Sequence, residues 1–166
     1  MPSSIASDDV YDAFPERPCG TAVLLLAGSS GRLESARADL LGHRGSRVRA
    51  IRWFGGIGQR PAPHEVPIEM FIDQIELLRR DHDRVAIFGT SFGAEAALVT
   101  ASTVEIDATI AVSPSSVVWS GLAEGRWSSH WTLGGSPLPA VEFDPAWTPM
   151  SDPPEYLSLY LSLIHI

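Results

Sequence analysis

The chain has 166 residues, of which 45% are hydrophobic, and its 20 acidic residues outweigh 12 Lys and Arg to give a net charge of −8. This composition excludes disordered and fibrous proteins and predicts one domain with a substantial core. The acidic balance argues against nucleic acid or an anionic membrane as the main partner, and no apolar run approaches the roughly 20 residues that a membrane span requires.

The first twenty residues are interpreted as an N-terminal extension ahead of the first core strand. They lack the basic region followed by an apolar region that marks a signal peptide, which predicts a cytoplasmic protein. Cys19 is the single cysteine, so no intrachain disulfide and no cysteine-based metal site is expected. Neither a cofactor nor a metal is predicted.

Alternating apolar strands and amphipathic helices predict an α/β fold with a mostly parallel sheet and helices on both faces. The first strand is "TAVLLLAG", residues 21–28, a continuous apolar run typical of a strand buried on both sides. The later elements are a helix over about 33–43, a strand within 46–55, a helix with an apolar stripe from Ile68 to Leu78, a strand at 84–89, a helix after Ser91 and a strand within 106–114.

From Ser113 onward the composition changes to Trp, Ser, Gly and Pro. This pattern predicts an elaborated loop region rather than core. Because the segment leaves the carboxyl end of a strand, it is expected to lie where open α/β sheets bind ligands.

Ser91 is the candidate nucleophile. It stands in Gly89-Thr90-Ser91-Phe92-Gly93, a G-x-S-x-G turn between a buried strand and an alanine-rich helix. Glycines at both ends permit the abrupt bend that forces the serine to its apex, and the helix N-terminus directs N–H groups, that of Phe92 included, at a developing oxyanion. The alternative is a glycine-flanked turn without activity.

A second oxyanion donor is expected from the loop after an earlier strand, and "AGSSG", residues 27–31, occupies that place. The backbone N–H of Ser29 or of Ser30 is the candidate. A glycine-rich turn of this kind also occurs in many α/β proteins without such a role. No phosphate-binding glycine motif is present.

Several stretches in order resemble the C-terminal catalytic domain shared by acyl-CoA thioesterases and bile acid-CoA:amino acid N-acyltransferase. They are "VLLLAGSSGRLESARADLL", "IRWFGGIGQRPAPHEVPIEMFIDQIELL", "VAIFGTSFGAEAAL", "SPSSVVWSGL" and "SSHWTLGGSPLP", and together they cover roughly residues 21–150. The resemblance implies an α/β-hydrolase fold, an acyl-CoA thioester or related acyl ester as substrate, and a covalent acyl-enzyme on Ser91.

The chain departs from the family pattern in two ways. Members often carry a β-sandwich domain before the hydrolase domain, whereas only about twenty residues precede the first core strand here. The nucleophile is a serine rather than the cysteine of the amino-acid-conjugating members, which favours water over an amine as acyl acceptor. Trp119, Trp127 and Trp131 either line an acyl pocket or pack against one another.

The triad that Ser91 needs is incomplete, since an α/β hydrolase supplies an acid and then a histidine after the serine. His130 is assigned a loop role, because its candidate acids precede the late strands that normally present the acid; they are Glu95, Glu105, Asp107 and Glu124. His165 lies in "LSLIHI", residues 161–166, which match one reading frame of a sequencing-library adapter and are interpreted as a non-native tail. Residues 21–160 are therefore predicted to be the N-terminal portion of a hydrolase domain, incomplete at its C-terminus, with the acid and base absent from this chain.

Three functions remain open from the sequence. The first is a serine acyl-CoA thioesterase, with little activity in this chain. The second keeps the fold but changes the chemistry, to a general carboxylesterase or an acyl-CoA:amino acid N-acyltransferase. The third is a noncatalytic α/β binding module in which Ser91 is only a turn residue.

Overall fold

The computed structural model of the chain describes residues 5–142, which form ten strands and three α-helices. The strands are β1 Val10–Ala13, β2 Thr21–Leu26, β3 Arg47–Ile51, β4 Val66–Pro67, β5 Arg84–Thr90, β6 Ala108–Val112, β7 Ser120–Ala123, β8 Arg126–Ser129, β9 Trp131–Leu133 and β10 Ser136–Pro137. The helices are α1 Ser35–His43, α2 Glu69–Arg79 and α3 Phe92–Thr103.

Five of the strands form the central sheet, in the order β1-β3-β2-β5-β6. The four strands from β2 to β6 in this sheet run parallel, with Leu24 opposite Arg49 on one side and Ile87 on the other. Only β1 is antiparallel. The predicted α/β fold with a mostly parallel sheet is confirmed.

Strand β1 was not predicted, since residues 10–13 fall inside the stretch interpreted as an extension. It is short and carries a charged residue, Asp12. That carboxylate lies 3.0 Å from Arg47 Nη2 and 2.8 Å from Arg49 Nη1 on the neighbouring strand. Residues 10–13 are therefore an edge strand of the sheet, held by ladder hydrogen bonds and ion pairs.

The core lies on both faces of β2. On one face Leu24 and Leu26 pack with residues of α2 and with Trp53; on the other, Val23 and Leu25 pack towards α1. Leu24, Leu25 and Leu26 are fully buried, which explains the unbroken apolar run in the sequence.

The segment after Ser113 contributes to this core, so its prediction as loop rather than core is wrong. Trp131 is fully buried, with its ring centroid 5.2 Å from that of Trp53 and 5.9 Å from that of Phe71. Trp119 is also buried, whereas Trp127 on β8 is 43% exposed. Two of the three tryptophans pack into the protein interior.

Among residues 5–142, β6 is paired on one side only, with β5. Ile110 and Val112 on this strand are about two-fifths exposed. None of the helices in the described part of the chain is both long and apolar enough to cross a membrane.

Candidate active site

Ser91 lies at the sharp bend that joins β5 to α3. Its φ of 54° and ψ of −120° are unusual for a residue with a Cβ, and such a conformation costs on the order of 1–3 kcal/mol, which the surroundings must offset. The Ser91 N–H donates to the Val112 carbonyl at 2.9 Å, and its carbonyl accepts from the N–H groups of Ala94 and Glu95. The backbone is thus held, while the side chain is exposed.

Two glycines allow this bend because the backbones on either side of it touch. A Cβ on Gly89 would collide with the Gly93 carbonyl, and a Cβ on Gly93 would collide with the Ala27 and Leu26 carbonyls at the end of β2. The first turn of α3 is therefore seated directly on the end of β2. Any larger residue would lift the helix and the serine with it.

The predicted oxyanion turn lies beside the serine. A Cβ on Gly28 would be 3.0 Å from the Ser91 Cβ and 2.9 Å from the Thr90 carbonyl oxygen. Ser29 and Ser30 follow in an exposed turn, in which the Gly31 N–H donates to the Gly28 carbonyl at 3.3 Å. Phe92 opens α3, where backbone N–H groups have no acceptor within the helix. The structure therefore brings the Gly28 turn against the Ser91 Cβ at the start of α3.

Helix α1 braces the residue before the serine. Arg37 Nη1 donates to Thr90 Oγ1 at 2.8 Å, and the guanidinium lies 5.5 Å from the ring centroid of Phe88. This contact places a positive charge near the carboxyl end of β5.

A buried carboxylate, that of Glu95, lies one helical turn after Ser91. From the sequence Glu95 was considered as an acid for His130, but its burial was not predicted. Glu95 Oε1 accepts from His130 Nδ1 at 2.9 Å, from the Trp131 indole Nε1–H at 2.8 Å and from the Trp119 backbone N–H at 3.3 Å. Its Oε2 lies 2.9 Å from Ser115 Oγ. The signal that could have found it is a single charge in "GAEAAL", because a charge inside an alanine-rich helix that packs on a sheet needs buried partners.

His130 lies in the bend between β8 and β9, as a loop residue, but it is only 4% exposed and its ring packs edge-on against Phe92 with centroids 4.9 Å apart. No hydrogen bond within residues 5–142 involves Ser91 Oγ. Of the acids considered for His130, Glu95 is the one that it contacts.

The other acids lie elsewhere. Asp107 precedes β6, at the end of the sheet opposite to Ser91, and accepts from the Val85 N–H at 2.8 Å; this hydrogen bond, followed by the charge of Arg79, lowers its pKa. Glu105 and Glu124 are exposed. His165 and residues 161–166 lie outside the described residues, so the absence of the acid and base stays a prediction.

A cavity of about 550 Å³ opens beside the start of α2. Trp53 forms part of its wall, and the Trp53 indole N–H donates to the Ala27 carbonyl at 3.0 Å, the same carbonyl against which Gly93 packs. The Ala27 carbonyl thus connects the cavity wall to the turn of residues 89–93, which is called the elbow below. The other lining residues include Gln59, Arg60, Glu65, Met70 and Thr132.

Glu65 connects the cavity wall to the β7–β8 hairpin by two hydrogen bonds. Its Oε1 accepts from Arg126 Nη1 and from Ser128 Oγ, both at 2.7 Å. The hydrogen bond from Arg126, then that from Ser128, lowers the pKa of Glu65 from its ordinary value of 4.5 to about 2. Within residues 5–142 no cluster of three or more His, Cys, Asp or Glu side chains is arranged to hold a metal ion.

No protein-family model and no curated protein matches the chain. Solved structures do. A probable hydrolytic enzyme from Pseudomonas aeruginosa is 23% identical with a TM-score of 0.50, over 63% of this chain and 36% of its own. A monoacylglycerol lipase from Paleococcus ferrophilus is 26% identical with a TM-score of 0.49, over 64% and 44%. The type II thioesterase BorB from the borrelidin biosynthetic cluster is 22% identical with a TM-score of 0.42, over 61% and 42%.

The chain therefore spans less than half the length of each of these three structures. The likeness to the Pseudomonas enzyme, together with the strand order and direction, shows a mixed α/β fold of the α/β-hydrolase type.

The tight seating of α3 predicts that Gly93→Ala destabilises the protein by roughly 3 kcal/mol or more, because the new Cβ meets two backbone carbonyls that cannot move aside. Gly42→Ala in α1 is the matched control, since its Cβ would make an ordinary 3.4 Å contact with Ala13. Alanine should be tolerated there or stabilise the helix by up to about 1 kcal/mol. Urea unfolding measures both; a G93A protein as stable as G42A would contradict the elbow geometry.

Glu65 predicts a specific pH dependence. Because its pKa is lowered in the folded protein, its contribution to stability is full above about pH 4.5 and is lost as the pH falls towards about 2. The difference in unfolding free energy between wild type and Glu65→Gln should therefore shrink between about pH 6 and about pH 3. Arg126→Met should show the same trend. If the difference in unfolding free energy stays constant over this range, the hydrogen bonds of Glu65 with Arg126 and Ser128 do not form.

Proposed function

We propose that this chain carries the nucleophile and oxyanion site of a cytoplasmic serine hydrolase that acts on acyl-CoA thioesters. The observation that supports the proposal is the exposed Ser91 in a strained bend with the Gly28 turn against its Cβ. Strain of this kind clusters at functional sites because only a compensating structure maintains it. A turn residue without a function would gain nothing from the conformation.

The chemistry assigned to these residues is acyl transfer. Ser91 Oγ attacks the thioester carbonyl carbon, and the oxyanion is met by the N–H of Phe92 and by that of Ser29 or Ser30. The base that the full protein is predicted to supply takes the hydroxyl proton during this attack. Collapse of the tetrahedral intermediate breaks the C–S bond and the base passes the proton to the sulfur, so CoA leaves as its thiol and the acyl group stays on Ser91. Attack by water then releases the fatty acid and restores the hydroxyl.

The acyl-CoA substrate rests on the sequence resemblance. The serine nucleophile favours water as acceptor. Because a triad acid and base are predicted to be absent from the 166 residues, this chain by itself is expected to retain only the small part of catalysis that oxyanion donors and binding provide.

The test uses the protein expressed in full from its natural gene, beside the 166-residue chain. We expect the full protein to hydrolyse a long-chain acyl-CoA with a higher kcat/KM than a p-nitrophenyl ester, and Ser91→Ala to lower kcat by roughly 10⁵-fold. Ser102→Ala, an exposed serine on the same helix, is the control and should leave kcat unchanged.

The other outcomes separate the alternatives. Faster turnover of the aryl ester would favour a general carboxylesterase, and acyl-glycine or acyl-taurine as main product would favour an N-acyltransferase. A full protein in which S91A and wild type are equally inert towards every acyl ester would overturn the enzyme proposal and favour a binding module.

A further inference from the structure

Glu95 on α3 attaches the segment of residues 113–131 to that helix. The side chain is 3% exposed, and a carboxylate at such a place is costly unless donors compensate for the lost water. Three N–H groups converge on its Oε1, from His130, Trp131 and Trp119. All three belong to the segment that follows β6.

The elbow is contacted next to both ends of this segment. Immediately before its start, the carbonyl of Val112, the last residue of β6, accepts the Ser91 N–H at 2.9 Å. At its return, the His130 ring lies edge-on against Phe92 with centroids 4.9 Å apart. Phe92 supplies the N–H proposed for the oxyanion. Movement of the segment would therefore be transmitted to the Ser91 N–H and to the Phe92 ring.

His130 connects the carboxylate to Phe92 and makes no hydrogen bond to the Ser91 hydroxyl within the described residues. Its Nδ1 is held by Glu95, and no hydrogen bond there joins its ring to Ser91 Oγ. A catalytic base has to come within hydrogen-bond reach of that oxygen, directly or through one water, once substrate is bound. The geometry instead suits a buried imidazole that transmits the position of Glu95 to Phe92.

We propose that Glu95 is a positioning residue. Through His130 and Trp131 it fixes the segment from 113 to 131 against α3, and so keeps the Phe92 N–H where the thioester oxyanion develops. The catalytic half of this proposal rests on the proposed function; the anchoring half does not.

The anchoring half is tested by NMR on the uniformly ¹⁵N-labelled protein expressed from its full natural gene. The Trp131 indole N–H, assigned with Trp131→Phe, donates to a carboxylate, so Glu95→Gln should shift its resonance because the acceptor loses its charge. Glu76→Gln, an exposed glutamate on α2, is the matched control and should leave the resonance in place. An indole signal that is the same in E95Q and wild type would overturn the anchoring.

The catalytic half is tested by acyl-CoA kinetics on the same variants. Displacement of an oxyanion donor reduces stabilisation of the transition state more than it reduces binding of the substrate. E95Q should therefore lower kcat by between about 10- and 100-fold, while KM changes less than about threefold. E76Q should match wild type. An E95Q protein that folds and keeps the wild-type kcat would overturn the proposal.

Variants of His130 distinguish positioning from base catalysis, even if E95Q fails to fold. Asparagine can place its side-chain N–H near the position of Nδ1, so His130→Asn should recover most of the kcat that His130→Ala loses. Equal inactivity of H130N and H130A would instead identify His130 as a base and overturn the positioning role. If wild type turns over no acyl ester, the proposed function and the catalytic half fail together, while the Trp131 signal still decides the anchoring half.

Discussion

The close approach of α3 to the end of β2 is the contact on which the rest of this site depends. It is possible only because Gly93 and Gly89 present no Cβ to the carbonyls around them. The approach forces Ser91 into its strained φ and exposes the side chain, and it brings the Gly28 turn to the Ser91 Cβ. A hydroxyl at the apex, the Gly28 turn beside it and a helix N-terminus behind it thus follow from one steric condition.

The second constraint is a charge placed inside the protein. Glu95 costs desolvation energy that an alanine at the same position would avoid, and its N–H donors offset that cost only while the segment after β6 stays in place. This explains why a segment rich in Ser, Gly and Pro packs as part of the core, with Trp131 against Trp53. The elbow is therefore held by two contacts, that of Gly93 with the end of β2 and that of Phe92 with His130 of this segment.

The sequence predicted most of what depends on local pattern and little of what depends on distant partners. Continuous apolar runs identified β2 and β5, and the glycine spacing identified the elbow. Strand β1 was missed because the charge of Asp12 is paired with Arg47 and Arg49, which lie more than thirty residues away in the sequence. The burial of His130 was missed for the same reason, since its partner lies on α3 and no local pattern joins the two.

An activated Ser91 should react with a fluorophosphonate probe in the full natural protein. After trypsin digestion, mass spectrometry should find one adduct in the peptide of residues 85–126, localised by fragmentation to Ser91 and lost in S91A but not in S102A. An adduct on another residue, or none on a folded protein, would show that Ser91 is not an activated nucleophile but a residue of a tight turn.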